Sequence, residues 1–376
     1  MEARKSAKLL AWLIALAVVF TMTLPSSVVW AAEGDASGVS PHVNDKAIGS
    51  KHAAGTVFFA EGYDVTISDA ETEDGKIGFT ATWLEAGETK SVTVTRDVVE
   101  AGKTLPAAKA IYVVGGSESD ANLAETNVTV EGGNIDYVVG GNLSDGKVTT
   151  ANVTINDGTI GIVHGATRDL PNSSYADRKA KASIDTVNMK ISGGEIQAVV
   201  GGTFGYTYVK NVNVDIDGGD LNAQTSPVQS GIMLAGTNGE VENAVLNFSG
   251  GTTKDISLAQ RTMVTGKAEI NLTGGTVNDI YAGSYYADTD NAEATNDWEN
   301  WKVGDVNYGQ AEAIDINIGG NAKYNDIYAG FQFLDKDKFE EKYKDSVGNV
   351  PTIEGSETAP VTITLDKNGT GTRGEE

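Results

Sequence analysis

One feature constrains this chain more than any other: a short alternation of apolar and polar residues running into a glycine corner, repeated seven times. It reads NVTVEGGNIDYVVGGN (127–142), NVTINDGTIGIVHGAT (152–167), NMKISGGEIQAVVGGT (188–203), NVDIDGGDLNAQ (213–224), VLNFSGGTTKDISLAQ (245–260), EINLTGGTVNDIYAGS (269–284) and DINIGGNAKYNDIYAG (315–330). NDIYAG recurs verbatim at 278–283 and 325–330, and YVVGG at 112–116 and 137–141. Aligned on Gly133, Gly158, Gly194, Gly219, Gly251, Gly275 and Gly320, successive copies lie 25, 36, 25, 32, 24 and 45 residues apart. A floor near 25 with larger values above it describes one structural turn carrying insertions, which is how a solenoid is written.

Strict alternation, together with the Gly, Thr, Val and Asn content, selects strands over helices. The inward residues are then Val128 and Val130, Val153 and Ile155, Met189 and Ile191, Val214 and Ile216, Leu246 and Phe248, Ile270 and Leu272, Ile316 and Ile318. After each corner a second short strand offers Ile135 and Val138, Ile160 and Val163, Ile196 and Val199, or Val277 and Ile280 to the same interior. Glycine suits the corner because other residues are strained at positive φ. Coils of roughly 25 residues stacked this way pair each strand with its equivalents about 4.8 Å above and below. The expected fold is all-β: a parallel β-helix, right-handed, with Asn127, Asn152, Asn188 and Asn213 forming an outward amide ladder.

The segment 33–50 is small and polar and reads as a linker, while 51–105 breaks the coil pattern. GTVFFAEGYDVTISD, KIGFTATWLEA and KSVTVTRDVVEAG within it read as antiparallel strands, so 51–105 is assigned as an N-terminal β cap over the first coil. The β-helix then covers 106–369, with inserted loops at 168–182, 284–312 and 331–358, VTITLDKNG as the start of one more coil, and an acidic tail at 370–376.

Residues 1–32 have the layout of a Sec-type signal peptide: Arg4, Lys5 and Lys8, then the apolar run Leu9–Phe20, then Ala31 and Ala32. That run is about a dozen residues, short of the roughly 20 needed to span a bilayer, so it is read as removed, leaving nothing to insert in a membrane. The expected location is secreted or at the cell surface. Without cysteine, stability must come from packing and backbone pairing. Acidic side chains outnumber basic ones 52 to 28, a net charge of −24, which repels phosphate backbones and argues against nucleic-acid binding.

These turns, reading V-x-V-x-G-G-x-I-x-x-V-x-G-G over roughly 110–330, resemble those of bacterial secreted parallel β-helix proteins of the adhesin-like kind. The resemblance implies a surface or extracellular protein without catalysis, binding a glycan or a host or bacterial surface protein. The same architecture also hosts pectate-lyase-like enzymes, tailspikes and passenger domains, so a polysaccharide lyase or glycoside hydrolase is the alternative.

For binding, the candidates are the aromatics Tyr206, Tyr208, Tyr285, Tyr286, Trp298, Trp301 and Tyr308, because flat C–H faces of sugars stack on exposed rings. The competing reading has these rings packing the loops onto the coils. For catalysis, the best carboxylate cluster is Asp215 and Asp217 on one strand face with Asp220 past the corner and Lys190 on the adjacent coil. Against it, the Asn-Thr-Asp, Asp-Asp, Gly-His-Gly set of polygalacturonase-like enzymes is missing. No cofactor is expected. Asp288 and Asp290 are the candidate Ca²⁺ ligands, in a loop without the glycine and terminal glutamate of an EF-hand.

Overall fold

The structure, a computed structural model, describes residues 39–47, 54–99, 110–118, 120–168, 181–204, 207–222, 231–237, 239–259, 262–286, 313–328, 332–333, 361–365 and 372–373. Asp35–Glu376 form one compact unit, and Met1–Gly34 a second that lies wholly outside the described residues. Every element among the described residues is a strand.

Parallel pairing carries the fold. Val65 pairs with Val128, Val128 with Val153, Val153 with Met189, Met189 with Val214, Val214 with Leu246, Leu246 with Ile270, Ile270 with Ile316 and Ile316 with Ile363. The post-corner strands form a second ladder, in which Val113, Val138, Val163, Val199, Ile232, Ile256, Ile280 and Ile327 follow one another in register. Such repeated parallel stacking is consistent with a β-solenoid. The apolar residues expected inside on both strands all belong to one contiguous buried cluster, because period-two alternation leaves each strand one face to bury.

The corners work as glycine corners. All seven aligned glycines have positive φ, from 61° at Gly320 to 117° at Gly158. At Gly194 the requirement is double: φ is +88°, and a Cβ would sit 2.9 Å from the Gly158 carbonyl oxygen on the neighbouring coil. The last corner is one residue longer than its predecessor, since Leu272 pairs with Ile318 but Thr276 with Lys323.

The amide ladder is present. Asn152 donates to Asn127 at 2.8 Å, Asn188 to Asn152 at 2.9 Å and Asn213 to Asn188 at 3.0 Å, with Asn127 donating to Asp64. It then moves two residues along the strand: Asn247 donates to Asp215, Asn271 to Asn247 and Asn317 to Asn271. The move follows composition, because Val245, Glu269 and Asp315 replace asparagine in the first column.

The N-terminal region differs from a run of antiparallel strands. Asp64–Asp69, Lys76–Glu85 and Glu88–Asp97 do pair antiparallel in sequence order, and His42–Ala47, within the stretch read as linker, pairs antiparallel with Ala54–Phe59. But Ala54–Phe59 also pairs parallel with Ile111–Val114, and Asp64–Asp69 with Asn122–Val139, so both belong to the stack. Val65 and Ile67 extend the inward apolar column, which explains why they join it. A bidentate ion pair ties the hairpin down: Arg96 Nη2 and Nε donate to Asp136 Oδ1 and Oδ2 at 2.7 and 2.8 Å. Asp136 Oδ2 also accepts the Ile111 N–H.

Candidate functional site

The post-corner strands also carry an outward face, built from two columns two residues apart. In the early coils those columns are apolar: Val57 and Phe59, Tyr112 and Val114, and Val139 form a second buried cluster with Ala110 and Leu143. In the later coils they turn polar. Asp255 pairs with Asp279 and Asp279 with Asp326, while Ser257 pairs with Tyr281 and Tyr281 with Tyr328.

The verbatim NDIYAG repeats generate this polar face, because identical residues placed in register form rows. Asp255 Oδ1 accepts the Asn278 amide at 3.0 Å and the Asp279 N–H at 3.3 Å; Asp279 Oδ1 accepts the Asp326 N–H at 3.2 Å. Asn325 donates to Asn278 at 2.5 Å. The Tyr281 hydroxyl donates to Asp279 Oδ2 at 3.1 Å, and the Tyr281 and Tyr328 rings stack at 4.8 Å with 6° between their planes. Burial, followed by the charges of Asp279 and Asp255 and the bond to Asp279, pushes the Tyr281 hydroxyl far above its ordinary value, so it stays a donor.

Exposure grades along the rows. Asp255 is 2 % exposed, Asp279 and Asp326 are half-buried, and Tyr328 is 42 % exposed. A flat exposed ring beside fixed carboxylate acceptors suits a polyhydroxylated ligand, whose C–H face packs on the ring while its hydroxyls donate to the acids. Among the described residues no group of three or more His, Asp or Glu is placed to hold a metal ion.

The residues singled out in the sequence fall elsewhere. Asp215 pairs with Lys190 as expected, but both are exposed on the pre-corner strands, and Asp215 Oδ1 is taken up by the Asn247 amide at 2.7 Å. Asp217 is exposed, and Asp220 Oδ1 accepts from the Asn222 N–H and the Thr252 hydroxyl, which makes it a corner fastener. Tyr208 lies on the pre-corner strand Tyr208–Ile216, and its hydroxyl donates to Glu242 at 2.7 Å. Burial and that bond push it up to about 12. Its hydroxyl is thus committed to the neighbouring coil. Tyr285 and Tyr286 pair through their backbones with Gln332 and Phe333. Tyr206, Trp298, Trp301, Tyr308, Asp288 and Asp290 lie outside the described residues.

Sequence reasoning thus passed over Asp255, Asp279, Asp326, Tyr281 and Tyr328. For all of these but Asp255 the signal was the exact NDIYAG duplication, which served as evidence of periodicity although its outward residues repeat as faithfully as its inward isoleucines. Comparison with protein-family models, with curated proteins and with solved structures finds no match to this chain.

Proposed function

We propose that this chain is an exported, right-handed parallel β-helix of roughly 25-residue coils that acts at the bacterial surface as an adhesin-like, glycan-binding module. The observation that supports the reading best is the in-register face of Tyr281 and Tyr328 over Asp279 and Asp326. Rings held on stacked strands lose little entropy on binding, and acceptors at each coil suit a ligand that itself repeats. The signal-like first residues, Arg4, Lys5 and Lys8 before Leu9–Phe20, support export. An acidic chain of net charge −24 fits neutral or cationic ligands better than polyanions.

The test is retention on immobilised neutral oligosaccharides. Tyr328→Ala should weaken retention by about fivefold or more while leaving the melting temperature unchanged, since one exposed stacking ring contributes roughly 1 kcal/mol or somewhat more. Retention unaltered by Tyr328→Ala and by Asp326→Asn would overturn the assignment of this face.

One observation favours a second reading, carbohydrate cleavage. Asp279 and Asp326, both half-buried, occupy adjacent strands, whose spacing of about 4.8 Å approaches the roughly 5 to 5.5 Å between the carboxyl groups of retaining glycosidases. Release of reducing ends from a polysaccharide, lost on Asp279→Asn, would select that reading over binding alone.

A further inference from the structure

A second cluster on the same outward face, in the early coils, has a different chemistry. Tyr112 and Tyr137 stack at 4.7 Å, Tyr137 and His164 lie nearly parallel at 6.3 Å, and His164 meets Phe204 edge-on at 5.3 Å. The Arg168 guanidinium carbon stands 4.2 Å from the centre of the Tyr137 ring, 5.1 Å from Phe204 and 5.9 Å from Tyr112. The cation is boxed by π-systems, a favourable placement. It makes no ion pair with a described residue, and its Nε is buried without a hydrogen-bond partner among them.

His164 shares the anomaly. It is 1 % exposed, and neither Nδ1 nor Nε2 has a partner among the described residues. Burial, and secondarily the Arg168 charge, lowers its pKa well below 6.5. The ring is therefore neutral and offers one donor and one acceptor. Three buried nitrogens without partners in one cluster is unusual in a native structure and asks for a physical reason. The cluster reaches the surface through Tyr137, Phe204 and Arg168, which are half-buried, while His164 lies beneath them.

We propose that this box binds a carboxylate carried on a ring, with Arg168 holding the carboxylate and Tyr137 and Phe204 packing the ring. The guanidinium lies among aromatic rings and pairs with no carboxylate of a described residue, and a guanidinium N–H fork matches a carboxylate bidentately. His164, neutral beneath that ligand, adds no charge to the site. In a chain of net charge −24, an anion is not attracted by the general field, so its binding depends on local geometry. The ligand can be an acidic sugar residue or a free cyclic acid, and both present the same carboxylate and flat frame. The site is separate from the tyrosine–aspartate face and does not depend on the reading given to that face.

Calorimetric titration of the full chain with glucuronate, benzoate, glucose, acetate and inorganic sulfate tests the proposal. A ring carboxylate should bind about tenfold or more tightly than both acetate and sulfate, and glucose should give no heat. Preference for glucuronate identifies the sugar source, and preference for benzoate the free acid. Arg168→Gln and Arg168→Lys should each weaken the ring carboxylate by about tenfold or more, because a lysine ammonium cannot form the fork. Neither variant should alter neutral-oligosaccharide retention, and Tyr328→Ala should leave carboxylate binding intact, so the two sites fail independently. If the Arg168 variants do not fold, nitrogen NMR of the His164 imidazole in the unmodified chain reports ligand seated on the neighbouring Arg168 through a shift on ligand addition. Equal binding of acetate or sulfate, unchanged affinity in folded Arg168→Gln, or a His164 signal indifferent to saturating ligand would each overturn the proposal.

Discussion

Asn188 donates its side-chain amide to Asn152 at 2.9 Å although 36 residues separate them, the same contact Asn152 makes with Asn127 across 25. The extra residues between these coils therefore leave their register intact. An insertion is tolerated when it leaves the chain after one rung and returns at the next, because closing a longer loop costs little additional entropy.

Asn188 both donates to Asn152 and accepts from Asn213, so Asn188→Ala interrupts the ladder in its middle. Urea unfolding should show a loss of about 1–2 kcal/mol, with the slope against urea unchanged. No measurable loss would mean that the ladder decorates the stack without stabilising it.

Two glycines of similar φ separate backbone strain from crowding. Gly87 (+80°) has nothing within 4 Å of the place a Cβ would occupy, whereas at Gly194 (+88°) a Cβ would press on the Gly158 carbonyl oxygen. Gly87→Ala should cost about 1–2 kcal/mol from φ alone, and Gly194→Ala roughly 1–3 kcal/mol more. Equal melting temperatures for the two variants would contradict the close coil contact.

The Arg96–Asp136 pair is 14 % and 13 % exposed at its two side chains. Arg96→Ala leaves Asp136 with the Ile111 N–H as its remaining partner of this group, and should destabilise by about 3 kcal/mol, since removing one partner strands a largely buried charge. Hydrogen exchange should locate the loss in Lys76–Glu85 and Glu88–Asp97, the strands Arg96 fastens.

His164 sets a pH dependence of known sign. Its folded pKa is lowered by burial and Arg168, so below about 6.5 the unfolded chain binds a proton that the folded chain does not. Stability therefore falls as pH drops below that value, by at most about 1.4 kcal/mol per pH unit from this residue. His164→Phe should remove that part of the slope. An identical slope in the variant would show that the acidic side chains alone produce it.

Much of the fold was legible because its determinants are local. Alternation around Val128, Val153 and their equivalents identifies inward residues without knowledge of the partner strand, and the corner glycines declare positive φ in the same way. The N-terminal strands were harder to place, since Ala54–Phe59 and Asp64–Asp69 pair both antiparallel and parallel, and one strand's pattern does not reveal which neighbour lies on each edge. Arg168 and His164 gave no signal beyond their identity. They become notable only when Tyr137 and Phe204, 27 residues before and 40 after His164, close around them.

Period-two alternation and repeated glycine corners alone determined that this chain stacks strands in parallel around one apolar interior, because burying a face and turning a corner are properties of a few consecutive residues. Which outward side chains share a column was decided only in the tertiary structure. Asp255 meets Asp279 and Asp326, and Asp215 meets Asn247, through registers set by corner length and inserted segments between distant coils. A register is a relation between strands, and no single strand carries it.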